Sequence, residues 1–210
     1  MPLHYAETTP DYCRLLLWKL DEDEDQLREL LPVTDDHTEL DTITHPQKRR
    51  EWLAGRVLVK KLVEEQACAE YQGMWKDEHG KPFLVGVSCP ISITHTSEYV
   101  AGVLHQSSPV GIDMEKVHPK LIRTARKFLS DPEVHQAGDH LVRLCMYWCA
   151  KEALYKLNGR KKVSFRDSIS IAPFTESATV LEGTLTDTDR QIRARIYIRW
   201  VDDYCLALAI

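Results

Sequence analysis

Three carboxylates in the second half of the chain could share one cation. Asp113 and Glu115 lie two residues apart in the run V-G-I-D-M-E at 110–115, and Glu152 follows in the segment 141–157. Carboxylate oxygens with no cysteine or histidine woven among them suit a hard cation, Mg²⁺ before Ca²⁺ or Mn²⁺. Because Mg²⁺ usually shares its coordination with substrate phosphates, Lys151 and Lys156 would fit beside it as phosphate partners.

The run at 110–115 has the alternation of a β-strand. Gly111, Asp113 and Glu115 would point to one face and the apolar residues between them to the other. The Cα atoms of the two acidic residues would then lie about 7 Å apart, and Gly111 would leave open space beside them. A D-x-E pattern alone is more typical of a solvated strand face, so the metal hypothesis depends on the third carboxylate.

The segment 141–157 predicts a helix, because no proline or glycine interrupts it and Asn158 and Gly159 follow as a left-handed cap. Apolar side chains cover almost its whole circumference, which is typical of a helix buried on most sides. Glu152 and Lys156 would project from one face as an i, i+4 pair. On an average helix this could equally be a surface ion pair, but a carboxylate among apolar groups is costly unless it is paired or bound to a metal.

Three shorter runs precede these two elements in a fixed order. They are R-E-W-L-A-G-R at 50–56, G-K-P-F at 80–83 and I-S-I-T-H-T at 91–96, followed by G-I-D-M-E at 111–115 and W-C-A-K-E-A-L-Y-K at 148–156. Together, in this order, they resemble the motifs of the 4′-phosphopantetheinyl transferase superfamily, in its two-domain surfactin-synthetase type. Threonines flank His95 where that family usually has serines, and Cys149 stands where it often has serine or threonine.

The resemblance implies a magnesium-dependent transfer of 4′-phosphopantetheine from coenzyme A to a serine of an apo acyl or peptidyl carrier protein, with release of 3′,5′-ADP. It implies that Asp113, Glu115 and Glu152 hold the metal. Glu152, or a metal-bound water, would take the serine proton. Lys156 would bind coenzyme A and neutralise charge that develops on the transferred group.

The nucleotide end of coenzyme A would be held by the first half of the chain. The resemblance implies that His95, with Lys81 and Thr94, contacts the 3′-phosphate. The basic run at 48–50 would lie near the same end, although no single residue of it can be matched to one contact. A lone histidine at the end of a strand is otherwise more often structural.

The order of elements predicts an α+β fold. We expect helices near 26–31, 51–69, 121–129 and 141–157, and strands near 13–20, 83–87, 91–94, 99–104, 110–115, 168–171, 179–186, 191–200 and 204–209. The most linker-like segment is H-Q-S-S-P at 105–109. The expected domains are therefore 1–108 and 109–210. The resemblance implies that they are similar α+β subdomains related by a pseudo-twofold axis, with the active site at their interface.

The composition excludes several classes of protein. The 210 residues are 43% hydrophobic and 28% charged, with a net charge of −5, as in an ordinary globular protein. No apolar run approaches the roughly 20 residues that span a bilayer. The six cysteines show no C-x-x-C spacing, and the polar start is unlike a signal peptide, so we expect reduced thiols and a cytoplasmic location. No zinc is expected at Cys145 and Cys149, because their helix has no histidine.

Basic patches occur at 123–127 and 160–162 on this acidic chain. Nucleic acid is an improbable partner, because the net charge is negative and no aromatic residues interleave with the patches. The patches would instead steer an acidic carrier protein. The resemblance suggests a monomer. Two alternatives stay open: a magnesium-dependent hydrolase of a nucleotide pyrophosphate, and a non-catalytic module that binds carrier proteins.

Overall fold

The computed structural model of the chain describes residues 3–32, 37–67, 70–159, 163–188 and 190–210. It divides into two compact units, Met1–Pro109 and Val110–Ile210. Each unit combines helices with an antiparallel sheet, so the predicted α+β class is confirmed. The pseudo-twofold relation between the units stays a prediction. No helix in the described ranges is both long enough and apolar enough to cross a membrane.

The first unit is built on a four-stranded antiparallel sheet with the order β1-β2-β6-β5. In chain order its elements are β1 (Leu3–Thr8), β2 (Arg14–Lys19), α1 (Glu24–Glu29), α2 (Thr38–Asp41), α3 (Pro46–Leu62), a π-helical turn (Val63–Ala67), β3 (Met74–Lys76), β4 (Pro82–Leu84), β5 (Ile91–His95) and β6 (Tyr99–Leu104). Strands β3 and β4 form a separate two-stranded ribbon.

Helix α3 packs on this sheet through an apolar stripe. Leu53, Leu58 and Leu62 are fully buried, and an added Cβ at Gly102 of β6 would come within 2.4 Å of the Leu58 side chain. The helix begins at Pro46, earlier than the predicted residue 51, because proline suits a first turn whose N–H groups have no helical partner.

The second unit is built on a five-stranded antiparallel sheet with the order β7-β11-β10-β9-β8. Its elements are β7 (Gly111–Lys116), α4 (Lys120–Phe128), α5 (Asp131–Ala137), α6 (Leu141–Asn158), β8 (Ile169–Ile171), β9 (Val180–Thr186), β10 (Gln191–Val201) and β11 (Tyr204–Ala209). The long helix α6 and all five strands agree with the elements predicted for this half.

Helix α6 is the centre of the second core. It buries residues around most of its circumference, from Leu144 to Leu157, and ends at Gly159 in the left-handed conformation (φ 69°), both as predicted. The helix lies directly on β7. A Cβ added to Gly111 would meet the Ala153 carbonyl oxygen at 2.0 Å and the Leu157 nitrogen at 2.5 Å. The expectation of open space beside Gly111 is therefore wrong, because the helix backbone fills it.

Several short elements were not predicted. Strand β1 is an edge strand whose residues are mostly exposed or half-buried, so its sequence lacks a strong apolar alternation. Helix α5 begins at a capping box in which Ser130 and Glu133 bond reciprocally. The S-D-P-E sequence at 130–133 is the signal that could have identified this helix start.

Candidate functional site

Strand β7 and helix α6 place the predicted metal carboxylates near one another in the second unit. Asp113 and Glu115 alternate with apolar residues on β7, and Glu152 lies on α6. Asp113 is 6% exposed. Because glycine at 111 lets the helix backbone touch the strand, the acidic residues of β7 face a helix at close range.

Asp113 is paired with the second predicted catalytic residue of the helix. Lys156 Nζ lies 2.8 Å from Asp113 Oδ1 and donates a second bond of 3.0 Å to the Ile112 carbonyl. The Lys156 side chain is 29% exposed. The buried carboxylate therefore has a charge partner, and the lysine keeps a face toward solvent.

Burial and repulsion from neighbouring carboxylates raise the pKa values of Glu115 and Glu152. Burial raises the pKa of Glu152 to about 7, and the charge of Asp113 adds to this effect more than Lys156 opposes it. Burial and then Asp113 also raise the pKa of Glu115. Trp148 Nε1 donates a bond of 3.4 Å to Glu115 Oε1. The charge of Asp113 thus helps to raise the pKa values of both Glu115 and Glu152.

The ligand atoms of these carboxylates do not meet at one point. Within the part of the chain that the structure describes, the only set of three His, Cys, Asp or Glu ligand atoms within 4.8 Å of one another belongs to Cys145, Cys149 and Cys205. The donor set of Asp113, Glu115 and Glu152 fits Mg²⁺ by its chemistry, since hard oxygen ligands in mutual repulsion gain from a divalent cation. Their role as metal ligands stays a prediction.

Lys151 does not serve this site. Its side chain is 0% exposed, and Nζ lies 2.6–2.8 Å from four acceptors, which its three N–H groups share: Glu133 Oε2 and the carbonyl oxygens of Phe128, Phe165 and Ile169. The expectation that Lys151 is a phosphate partner is wrong. Its ammonium group is saturated by a structural network that holds α5, the end of α4 and the start of β8.

An apolar groove of about 550 Å³ adjoins Glu115 in the same unit. Its walls include Leu121, Phe128, Trp148 and Phe165, and Lys120 and Lys127 also line it. Arg123, Arg126 and Lys127 are exposed on α4, as expected for a patch that meets solvent. The other predicted basic patch, at 160–162, lies outside the described residues.

A cavity of about 460 Å³ in the first unit contains the predicted histidine. It is lined by His95, Lys48 and Glu51, and also by Gly80 and Pro82, which flank Lys81. The nearly buried Glu51 Oε2 lies 2.6 Å from Lys48 Nζ and 3.0 Å from His95 Nδ1. Sequence reasoning missed Glu51, whose signal was its i, i+3 spacing from Lys48.

The remaining predicted nucleotide contacts differ in their surroundings. Thr94 is 6% exposed within β5. The Lys81 backbone N–H donates to Asp77 Oδ1, which fixes the turn that presents this lysine. Arg49 and Arg50 of the basic run are used inside the fold. Arg49 binds Glu24 and two backbone carbonyls, and Arg50 binds two backbone carbonyls, which leaves Lys48 as the member of the run at the cavity.

Fold and site together define an α+β protein in which an acidic pair on a strand faces a glutamate and a lysine on a buried helix. Comparison with known proteins supports the resemblance seen in the sequence. Residues 109–209, slightly less than half of the chain, match the model of the 4′-phosphopantetheinyl transferase superfamily.

Individual relatives show the same similarity. The chain is 28% identical over 142 residues to the 4′-phosphopantetheinyl transferase ffp of Bacillus subtilis, covering 60% of each protein. It is 29% identical over 119 residues to psf-1 of Bacillus pumilus, covering 53% of the chain and 51% of the relative. It is 28% identical over 120 residues to AcpT of Salmonella typhimurium, covering 53% and 60%. The matches thus span about half to three fifths of these relatives' lengths.

Proposed function

We propose that the protein transfers 4′-phosphopantetheine from coenzyme A to a serine hydroxyl of an apo carrier protein and releases 3′,5′-ADP. The observation that carries this proposal is the placement of Asp113 and Glu115 on β7 beside α6, which carries Glu152 and Lys156, with Lys156 Nζ 2.8 Å from Asp113 Oδ1. These residues occupy the positions of the two motifs that resemble the superfamily, and the names of the relatives support the same reaction.

Glu152 is the group that would accept the serine proton. Without a bound cation, burial raises the pKa of Glu152 to about 7, which is near the range in which a general base works well. Lys156 lies one helical turn further along, with part of its side chain exposed. Its ammonium group would bind the pyrophosphate of coenzyme A and offset negative charge on the transferred phosphoryl group.

Asp113, Glu115 and Glu152 would hold a magnesium ion. When bound, this ion would supply positive charge to the pyrophosphate and so favour departure of the leaving phosphate. The carboxylates have a second effect of their own. Since their repulsion raises the pKa values of Glu115 and Glu152, a cation between them would lower both pKa values and couple metal binding to proton release.

The cavity of the first unit would take the nucleotide end of coenzyme A. Lys48 and His95 could both donate to a phosphate, and both now contact Glu51.

The carrier protein would approach the exposed Arg123, Arg126 and Lys127 of α4. Basic residues at such a surface would raise the association rate with an acidic partner, and the rate would fall as salt is added.

The test is intact-mass spectrometry of an apo carrier protein incubated with the protein, coenzyme A and Mg²⁺. The carrier should gain one phosphopantetheine, and EDTA should abolish the gain. Glu152→Gln keeps the size of the side chain but removes both the proposed base and a proposed metal ligand, so the rate should fall by about 10²-fold or more. Glu182→Gln on the exposed face of β9 is the matched control and should react like wild type.

Other outcomes would reject the proposal. Full activity in Glu152→Gln would remove Glu152 from the mechanism. Cleavage of coenzyme A without any carrier would indicate the pyrophosphate hydrolase instead. Carrier binding without modification, across fatty-acid, polyketide and peptide carriers, would indicate a binding module.

A further inference from the structure

Three cysteine thiols meet in the core of the second unit. Cys145 and Cys149 lie one turn apart on α6, and Cys205 lies on β11. Each is 0% exposed, and their sulfur atoms all lie within 4.8 Å of one another. Cys145 Sγ donates to the Glu115 carbonyl at 3.5 Å, and Cys149 Sγ donates to the Cys205 carbonyl at 3.4 Å. The phosphopantetheine chemistry proposed above uses none of these thiols.

The spacing of the sulfurs suits a single three-coordinate atom. An atom bound to sulfur at about 2.3 Å holds three sulfurs roughly 4 Å from one another. The cluster therefore needs only a small contraction to surround one thiophilic centre. Two ligands come from a rigid helix and one from β11, an interior strand of the sheet, so the arrangement is largely preformed.

The charge environment selects the kind of atom. The three thiols lie in the apolar core of the second unit, and β11, which carries Cys205, pairs with β7, which carries Asp113 and Glu115. Three thiolates on Cu⁺ or Zn²⁺ would give a complex with net negative charge in this apolar and acidic setting, which is costly. Three thiolates on a trivalent centre give a neutral complex, which avoids that cost.

We propose that Cys145, Cys149 and Cys205 form a binding site for a trivalent thiophilic hydroxide of the arsenite or antimonite class. Three As–O bonds break and three As–S bonds form. Each thiol proton leaves with one hydroxide as water, so three waters are released. Arsenic stays trivalent, and no oxidant or reductant is needed.

The experiment uses the full chain, kept reduced with a phosphine because dithiols would compete for arsenic. Arsenite is added either to the folded protein or during refolding, since the thiols are buried and entry requires opening. Native mass spectrometry should detect one arsenic per chain with three protons lost. A centre bound by only two thiols would keep a hydroxide and weigh one water more. Ultraviolet absorbance of the arsenic–sulfur bonds gives an independent readout.

Single variants locate the site. Cys145→Ala and Cys205→Ala should each weaken arsenite binding on the order of tenfold or more, because only two sulfur ligands remain. Cys89→Ala, which changes a half-buried thiol in the first unit, should bind like wild type. Arsenite should raise the melting temperature of wild type and of Cys89→Ala, because it binds the folded state. It should not raise the melting temperature of Cys205→Ala.

Three results would overturn the proposal. No arsenic adduct, even after refolding in arsenite, would mean that the thiols act only as small core side chains. Equal binding by wild type and Cys205→Ala would place the arsenic elsewhere. Zinc binding at these three thiols in preference to arsenite would contradict the argument from net charge.

Discussion

Replacing Lys151 by methionine should destabilise the second unit without removing any group from the candidate site. The Lys151 ammonium is fully buried against Glu133, whose side chain is 5% exposed. Methionine would fill most of the volume but would remove the cation beside the Glu133 carboxylate and a donor to three carbonyls. Breaking a buried pair in this way costs about 3–5 kcal/mol of unfolding free energy.

Urea denaturation at pH 7, followed by circular dichroism and tryptophan fluorescence, measures this loss. Lys127→Met is the matched control on exposed α4 and should change the unfolding free energy by less than about 0.5 kcal/mol. The double variant Lys151→Met with Glu133→Gln should recover part of the loss, because it removes the uncompensated charge. If Lys151→Met lost less than about 1 kcal/mol of unfolding free energy, the network around Lys151 would not be what holds α5, α4 and β8 together.

Two further predictions concern the carboxylates and the contact of α6 with β7. In EDTA, the raised pKa of Glu152 means that the folded protein holds an extra proton between about pH 4.5 and 7, so stability should fall as the pH rises through this window. Between pH 5 and pH 7.5, the unfolding free energy from urea titrations should fall less in Glu152→Gln than in wild type, by up to about 3 kcal/mol. An equal fall in both proteins would contradict this prediction. Gly111→Ala should cost about 3 kcal/mol or more in the same assay, because its methyl group would meet rigid helix backbone. Gly102→Ala should cost less, because its methyl group would meet the flexible Leu58 side chain, and equal losses would refute the comparison.

Local sequence patterns predicted the elements that carry the site. The uninterrupted apolar segment at 141–157 gave α6 with its cap, and the alternation at 110–115 gave β7. Asp113 and Glu115 on β7 lie beside α6, which carries Glu152, and the binding of one metal by these three residues stays a prediction. The spacing of apolar residues was enough to predict α6 and β7, because each of these elements has one strong pattern.

Local sequence patterns could not predict contacts between distant segments of the chain. Lys151 and Lys156 looked alike as lysines of one motif, yet five residues turn a helix by about 140°, so they face different neighbours. The partner of Lys151 is Glu133 on a helix that was not predicted. Cys205 joins Cys149 across a separation of 56 residues. The clash at Gly111 likewise depends on how closely a helix settles on a strand, which sequence spacing does not encode.

The burial of α6 has a consequence for the motions of the protein. The helix contacts all five strands of its sheet, so its central amide protons should exchange with solvent only when much of the second unit opens. Glu152 and Lys156 are therefore carried by one of the slowest-exchanging elements. Helix α4 contributes exposed residues to the groove beside Glu115 and is covered on one side only. Fluctuations that admit a large ligand should thus arise in α4 and in the segment around Phe165, while Glu152 and Lys156 stay in place.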